Sequence, residues 1–189
     1  MDMRFSAITP LELRFDIEAL RKSVVDLIPR DPIFPQKHQI SLRHRVSSTN
    51  QDPTALLQDG VGSLFDFSTQ KWLGHESQFT QNHPFIRGTY LEEVLKKVEA
   101  ASPEPVGRFR IMRLQPKVCY SWHWDPDPYR LHIPVITNEA CFYLTKEGGM
   151  EQMLEVGRLY KVNTAVHHTA VNASLVDRIH LVFSCWKKN

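Results

Sequence analysis

His123 and Asp125 stand two positions apart in the stretch Tyr120–Asn138, YSWHWDPDPYRLHIPVITN. On a β-strand, residues i and i+2 share a face. An imidazole and a carboxylate are therefore expected side by side. They make two-thirds of the 2-His-1-carboxylate triad that holds non-haem Fe(II) and leaves coordination positions open. Alone, an H-x-D pair is usually just two polar residues. Its weight comes from an echo: Arg130-Leu131-His132-Ile133 recurs as Arg178-Ile179-His180-Leu181. In each copy Arg and His alternate with apolar residues, so Leu131, Ile133 and Val135 share one face of their strand. Ile179, Leu181 and Phe183 do the same on theirs. With His123 and Asp125 nearby, the Arg/His faces are expected to line a polar barrel interior. Arginine is rarely buried unpaired, so two inward arginines imply an anion in that cavity.

A third metal ligand is expected from a later strand, where His167 and His168 offer themselves. Strand neighbours face opposite sides, so at most one of them reaches the metal, and the residues alone leave the choice open. For either, an ordinary surface or core histidine is the more frequent outcome. Trp122 and Trp124 alternate with His123 and are expected to face away from the metal and pack in the core rather than serve as a substrate platform.

The elements that must position these groups fall into two textures. From Gly107 onward, strand-like runs follow at short intervals: 109–114, 119–125, 130–137, 141–145, 158–162 and 178–186. This is the pattern of a small β-barrel or jelly roll. The first half reads as irregular α+β. A short strand is expected at 11–15. A helix follows over Ile17–Ile28 with Asp16 as N-cap, and Pro32 and Pro35 break the chain after it. His38–Val46 alternates as a half-buried strand. The polar stretch Ser47–Gly62 reads as a loop and a candidate lid. The clearest helix lies in Gly88–Ala101, with Leu91, Val94, Leu95 and Val98 on one face. The expectation is one domain over 1–189, mainly β with flanking helices. In it an α+β region (1–106) covers a metal-binding β-helix core (107–189).

Composition excludes several classes. The net charge is +2 and the pI about 8.4, with no basic run interleaved with aromatics, so nucleic acid is not an expected partner. No window approaches the roughly 18 apolar residues of a membrane span, and the charged N-terminus lacks a signal-peptide core. The three cysteines are odd in number and widely spaced, which points to a reducing, cytoplasmic setting.

The segments RIMRLQPKVCYSWHWDPDPYRLHIPVITN and GRLYKVNTAVHHTAVNASLVDRIHLVF resemble the aspartyl/asparaginyl β-hydroxylase family over residues 107–184. The motifs that carry the resemblance are H-x-D, R-x-H-x-P, G-x-x-x-x-x-N, H-x-x-x-N and R-I-H-L. The resemblance implies a double-stranded β-helix (jelly-roll, cupin-like) fold that uses Fe(II), 2-oxoglutarate and O2. It implies His123, Asp125 and His168 as iron ligands, the choice of His168 following from H-x-x-x-N running into Asn172. It implies Arg178 as the clasp on the distal carboxylate of 2-oxoglutarate, with Arg130 and His132 near the co-substrate's other end. Animal members have Gly where this chain has Asp125. Bacterial proline hydroxylases of the same superfamily keep the carboxylate, although this chain ends sooner after the Arg178 strand than they do. The resemblance implies hydroxylation of an amino-acid C–H bond, but the substrate does not carry over from either branch. A free amino acid or small molecule is preferred, because the metal set with Asp125 is like that of the bacterial free-amino-acid hydroxylases. Arg113 and Arg130 are also surplus cations beside the site, either of which could meet its carboxylate. Asp or Asn side chains in a protein are the alternative. A non-catalytic or 2-oxoglutarate-independent cupin-like metal protein is the third reading.

Overall fold

The computed structural model describes residues 6–46, 52–66 and 68–188. The first half contains β1 (Ile8–Arg14), α1 (Ile17–Leu27), α2 (Phe34–Lys37), β2 (Gln39–Ser41), β3 (Arg43–Arg45) and α3 (Pro53–Leu56). It continues through β4 (Phe65–Asp66), β5 (Lys71–Trp72), β6 (Phe79–Asn82) and α4 (Tyr90–Ala101). The second half contributes β7 (Val106–Leu114), β8 (Val118–Cys119), β9 (Arg130–Ile136) and β10 (Cys141–Thr145). It ends with β11 (Gly149–Glu151), β12 (Arg158–Val162), β13 (His168–Asn172) and β14 (Arg178–Cys185).

Two antiparallel sheets face one another across a cavity. The larger has the order β1-β12-β9-β14-β7-β2, and the smaller β11-β10-β13-β8. This is the mainly β, jelly-roll-like architecture with flanking helices that the strand spacing suggests. The first half does more than cover the barrel, because β1 and β2 are the two edge strands of the large sheet.

The alternation in the central strands decides where the core lies. Leu131, Ile133, Ile179, Leu181, Phe109 and Ile111 point to the outer face and are buried with residues of α1 and α4 in one apolar cluster. There Phe109 and Phe183 stack with centroids 4.3 Å apart. The helices supply the matching stripes: Leu20, Val24 and Leu27 from α1, and Leu91, Val94, Leu95 and Val98 from α4. Each such side chain contributes roughly 1.5–3 kcal/mol through burial. Asp16 caps α1 by accepting from the Ala19 N–H at 2.8 Å. The inner faces of the same strands are left to Arg108, Arg110, Arg130, His132, Arg178 and His180, all buried or nearly so.

Four local expectations are corrected. The run 38–46 is not one half-buried strand. It changes sheets at Leu42, so β2 pairs with β7 and β3 with β6, and Ser41 and Arg43 are buried as well as Ile40 and Leu42. Pro35 does not interrupt structure but starts α2, where a first-turn N–H has no helical partner to lose. The expected loop 47–62 carries α3 and buries Leu56 and Leu57, while residues 47–51 lie outside the described residues. The strand expected over 119–125 is regular only at Val118–Cys119. Cys119 opposes Val171, yet His123 opposes His168, so one extra residue is accommodated between them, as in a β-bulge.

Candidate metal centre and co-substrate pocket

The bulge sets the geometry of the metal-ligand candidates. His123 and His168 exchange backbone hydrogen bonds, His123 N–H to His168 O at 3.1 Å and His168 N–H to His123 O at 2.8 Å. Directly opposed strand residues present their side chains to the same face, and the two imidazole centroids lie 4.3 Å apart. Asp125 is held by its own N–H, which donates to Thr164 O at 2.8 Å. One ligand atom from each of His123, Asp125 and His168 lies within 4.8 Å of the other two.

Each imidazole is aimed by its other nitrogen. His123 Nδ1 lies 2.8 Å from Ser121 O, and His168 Nδ1 2.9 Å from Val166 O. A carbonyl can only accept, so Nδ1 carries the proton and Nε2 presents its lone pair. Burial pushes the pKa of His168 below its ordinary value, and the neighbouring His123 adds to this. The neutral, metal-binding form is therefore favoured. Asp125 Oδ1 accepts from Arg130 Nη2 at 2.7 Å, while Oδ2 is buried without a hydrogen-bond partner. A buried carboxylate oxygen with no donor is costly. A divalent cation between Oδ2 and the two Nε2 atoms would remove that cost, so the donor set fits Fe(II). His167 is exposed and outside the cluster.

The cluster opens into a cavity of about 1530 Å³ between the sheets. Arg178 lies on its floor, buried, with Nε unpartnered. Among the described residues no carboxylate comes within ion-pair distance of it. Burial pulls its pKa below the ordinary value, and Tyr120 is the leading opposing influence. A buried guanidinium without an anion fits a ligand carboxylate, which its planar fork can meet bidentately. His132 and His180 lie between Arg178 and the metal cluster on the same sheet face, with Nδ1 atoms 3.4 Å apart. Burial first, then Arg178, holds both well below the usual imidazole range.

Of the two inward arginines expected to need an external anion, Arg130 has its anions inside the protein. It pairs with Asp125 at 2.7 Å and with Asp127 at 3.9 Å. Burial disfavours its charge, but the two carboxylates raise its pKa above the ordinary value. Asp127 is itself pushed up to about 6, by burial first and then by Glu76.

Arg113, an expected partner for a substrate carboxylate, faces the other way. It alternates with the cavity-lining Met112, lies over the Phe34 ring and pairs with Asp177 at 3.6 Å. Trp122 and Trp124, expected in the core, are 47% and 56% exposed and line the cavity. The bulge and the turn after it carry them to the mouth.

One residue the sequence reading passed over is Arg110. It is fully buried in the cavity wall, with only neutral partners, Gln39 Oε1 at 3.3 Å and Ser184 Oγ at 3.2 Å. Burial drives its pKa well below the ordinary value, helped by Arg108. The signal was present in Arg108-Phe109-Arg110-Ile111, which repeats the arginine-apolar alternation of the other two strands.

No helix among the described residues is long and apolar enough to cross a membrane. Among curated proteins none matches the sequence significantly. Among solved structures, the fold is similar to the viral collagen prolyl hydroxylase vCPH from Paramecium Bursaria Chlorella virus-1 in its 2OG complex. The identity is 8%, 95% of each chain is covered, and the TM-score is 0.51. It is also similar to AviO1 from Streptomyces viridochromogenes Tue57, at 12% identity over 96% of this chain and 90% of that one, TM-score 0.50. A third is the nickel complex of the non-heme monooxygenase ThoJ, at 9% identity over 95% and 74%, TM-score 0.50. At such identities the likeness speaks for the fold alone. The sequence itself carries the assignment. The Aspartyl/Asparaginyl beta-hydroxylase family model matches residues 71–188, a span that contains the metal-ligand cluster and Arg178, and the chain belongs to that family as a 2-oxoglutarate-dependent oxygenase.

Proposed function

We propose that the chain hydroxylates a C–H bond of a small, carboxylate-bearing molecule of the amino-acid class, with Fe(II) held by His123, Asp125 and His168. The observation that carries this reading is Arg178, a buried cation with an unpartnered Nε and no carboxylate within ion-pair distance among the described residues, in the same cavity as three convergent metal donors. Bound there, Fe(II) with 2-oxoglutarate and O2 would supply oxidative decarboxylation to succinate coupled to C–H oxidation. The protein positions the reactants. His123 and His168 each offer Nε2 because a backbone carbonyl holds Nδ1–H. Arg130 takes Asp125 Oδ1 and leaves Oδ2 for the metal. Arg178 clasps the distal carboxylate of 2-oxoglutarate, and Arg130 and His132 border its other end.

Arg113 and Arg130 are both engaged elsewhere, so Arg110 is the cation placed to meet a substrate carboxylate. A second reading is hydroxylation of Asp or Asn side chains in a peptide, favoured by the width of the cavity. The test is Fe(II)-dependent succinate formation from 2-oxoglutarate, screened for stimulation by free amino acids and by Asp-, Asn- and Pro-containing peptides. Stimulation by peptides alone would select the second reading. No metal-dependent succinate under any condition would remove both.

A further inference from the structure

The chain has four tryptophans, and Trp72, Trp122, Trp124 and Trp186 all line the cavity that holds the metal-ligand cluster. Tryptophan carries a large apolar surface and is highly buried on average. Here Trp72, Trp122 and Trp124 remain 59%, 47% and 56% exposed. None of the four belongs to either apolar cluster of the core. Phe65 meets Trp72 edge-on at 5.1 Å and extends the same wall. Exposed apolar surface gathered at one cavity, rather than scattered singly, marks a binding surface.

The wall deeper in this cavity has a different character. Arg110 is fully buried there with two neutral partners and an unpartnered Nε. The rim is also basic: Lys187 lines it, and Lys146 Nζ lies 5.9 Å from the Trp122 ring centroid. The volume of about 1530 Å³ exceeds the roughly 300–1,000 Å³ of pockets that enclose a drug-sized ligand. A free amino acid would satisfy the cation and leave the tryptophan wall in water.

We propose that the substrate is a carboxylic acid with a large apolar body, such as an N-acylated amino acid. Its carboxylate meets Arg110 and its apolar part lies on the wall formed by Trp72, Trp122, Trp124 and Trp186. The inference rests on the oxygenase reading of this cavity and narrows its substrate class.

Because every tryptophan lines the cavity, intrinsic fluorescence reports its occupancy. The Mn(II)- and 2-oxoglutarate-loaded protein is titrated anaerobically with N-acetylglycine, N-dodecanoylglycine, the methyl ester of the latter, and a polar glycine-terminated peptide. N-Dodecanoylglycine is expected to bind at least about tenfold tighter than N-acetylglycine, and the ester or Arg110→Gln to lose about that factor. Trp72→Ala and Trp122→Ala, both at exposed positions, should weaken the dodecanoyl ligand severalfold and leave N-acetylglycine unchanged. Equal binding of the acetyl and dodecanoyl ligands overturns the proposal. So does equal binding of acid and ester, or binding of the peptide alone. Iron-dependent succinate formation, assayed separately, tests the underlying reading. Its absence with the ligand series intact removes the oxygenase reaction but not the ligand class. Its presence with no binding in the series does the reverse.

Discussion

Arg130 Nη2 lies 2.7 Å from Asp125 Oδ1, and the other oxygen of that carboxylate, Oδ2, sits 3.8 Å from His168 Nε2 with no donor of its own. The arginine thereby fixes which oxygen is free for a metal. Losing an outer partner of a metal ligand typically costs about 10–100-fold in metal affinity. Arg130→Gln is expected to weaken Fe(II) or Mn(II) binding by about that factor, with partial recovery in Arg130→Lys. Unchanged affinity, read by metal titration, would show that Asp125 is oriented without it.

His168→Ala should remove most Fe(II) affinity, while His167→Ala, at an exposed position, should leave it intact. The reverse outcome in a metal titration would place the wrong histidine on the inner face of β13.

Arg178→Ala is expected to raise the KM for 2-oxoglutarate strongly and to leave metal affinity nearly unchanged. Breaking a buried ion pair costs about 3–5 kcal/mol, which corresponds to a loss of roughly 100-fold to a few thousand-fold. Succinate formation titrated with 2-oxoglutarate checks this. An unaltered KM would mean the co-substrate carboxylate lies elsewhere.

The metal-free protein should lose stability as pH falls below about 6.5, the ordinary imidazole value. His132, His180 and His83 are all depressed, by burial above all. The unfolded chain therefore binds protons in this range that the native state refuses. Unfolding free energy then rises with pH, by at most about 1.4 kcal/mol per pH unit for each such group, and falls on acidification. Urea unfolding at pH 7.5 and 5.5 measures it, and His180→Asn should flatten the slope.

Glu76 and Arg108 form a buried ion pair at 2.6 Å, and Arg108 Nη1 also donates to Gly60 O at 3.0 Å and Gly62 O at 2.7 Å. This pair ties the segment after α3, the expected lid, to β7 on the cavity wall. Glu76→Gln leaves a buried guanidinium uncompensated and is expected to cost about 3–5 kcal/mol. Gly107→Ala should also destabilise, because a Cβ there would meet Glu76 O at 2.5 Å. A stability change below 1 kcal/mol (on the order of a surface substitution) for Glu76→Gln would contradict the role assigned to the pair.

The sequence by itself determined the strands and the faces of the barrel floor. In 130–135 and 178–183 the alternation of apolar residues with Arg and His leaves one arrangement that keeps the apolar face dry, and β9 and β14 adopt it. It likewise determined α1 and α4, whose apolar stripes and, for α1, the Asp16 cap are local properties. It brought His123, Asp125 and Arg178 into one expectation, and the resemblance selected His168.

What it did not determine depends on pairing between distant segments. The extra residue between Cys119 and His123 is defined only against β13. That insertion sets the register in which His123 opposes His168, and with the turn after it Trp122 and Trp124 come to lie exposed at the mouth instead of in the core. Which arginine has an internal anion also depends on folding. Arg130, Arg113, Arg110 and Arg178 are alike in sequence, and only the packed structure gives Asp125, Asp127 and Asp177 to the first two and leaves the others lining the cavity with no carboxylate partner among the described residues. The electrostatic cost of a buried charge is fixed by its three-dimensional neighbours, and for these residues those neighbours come from other strands and turns.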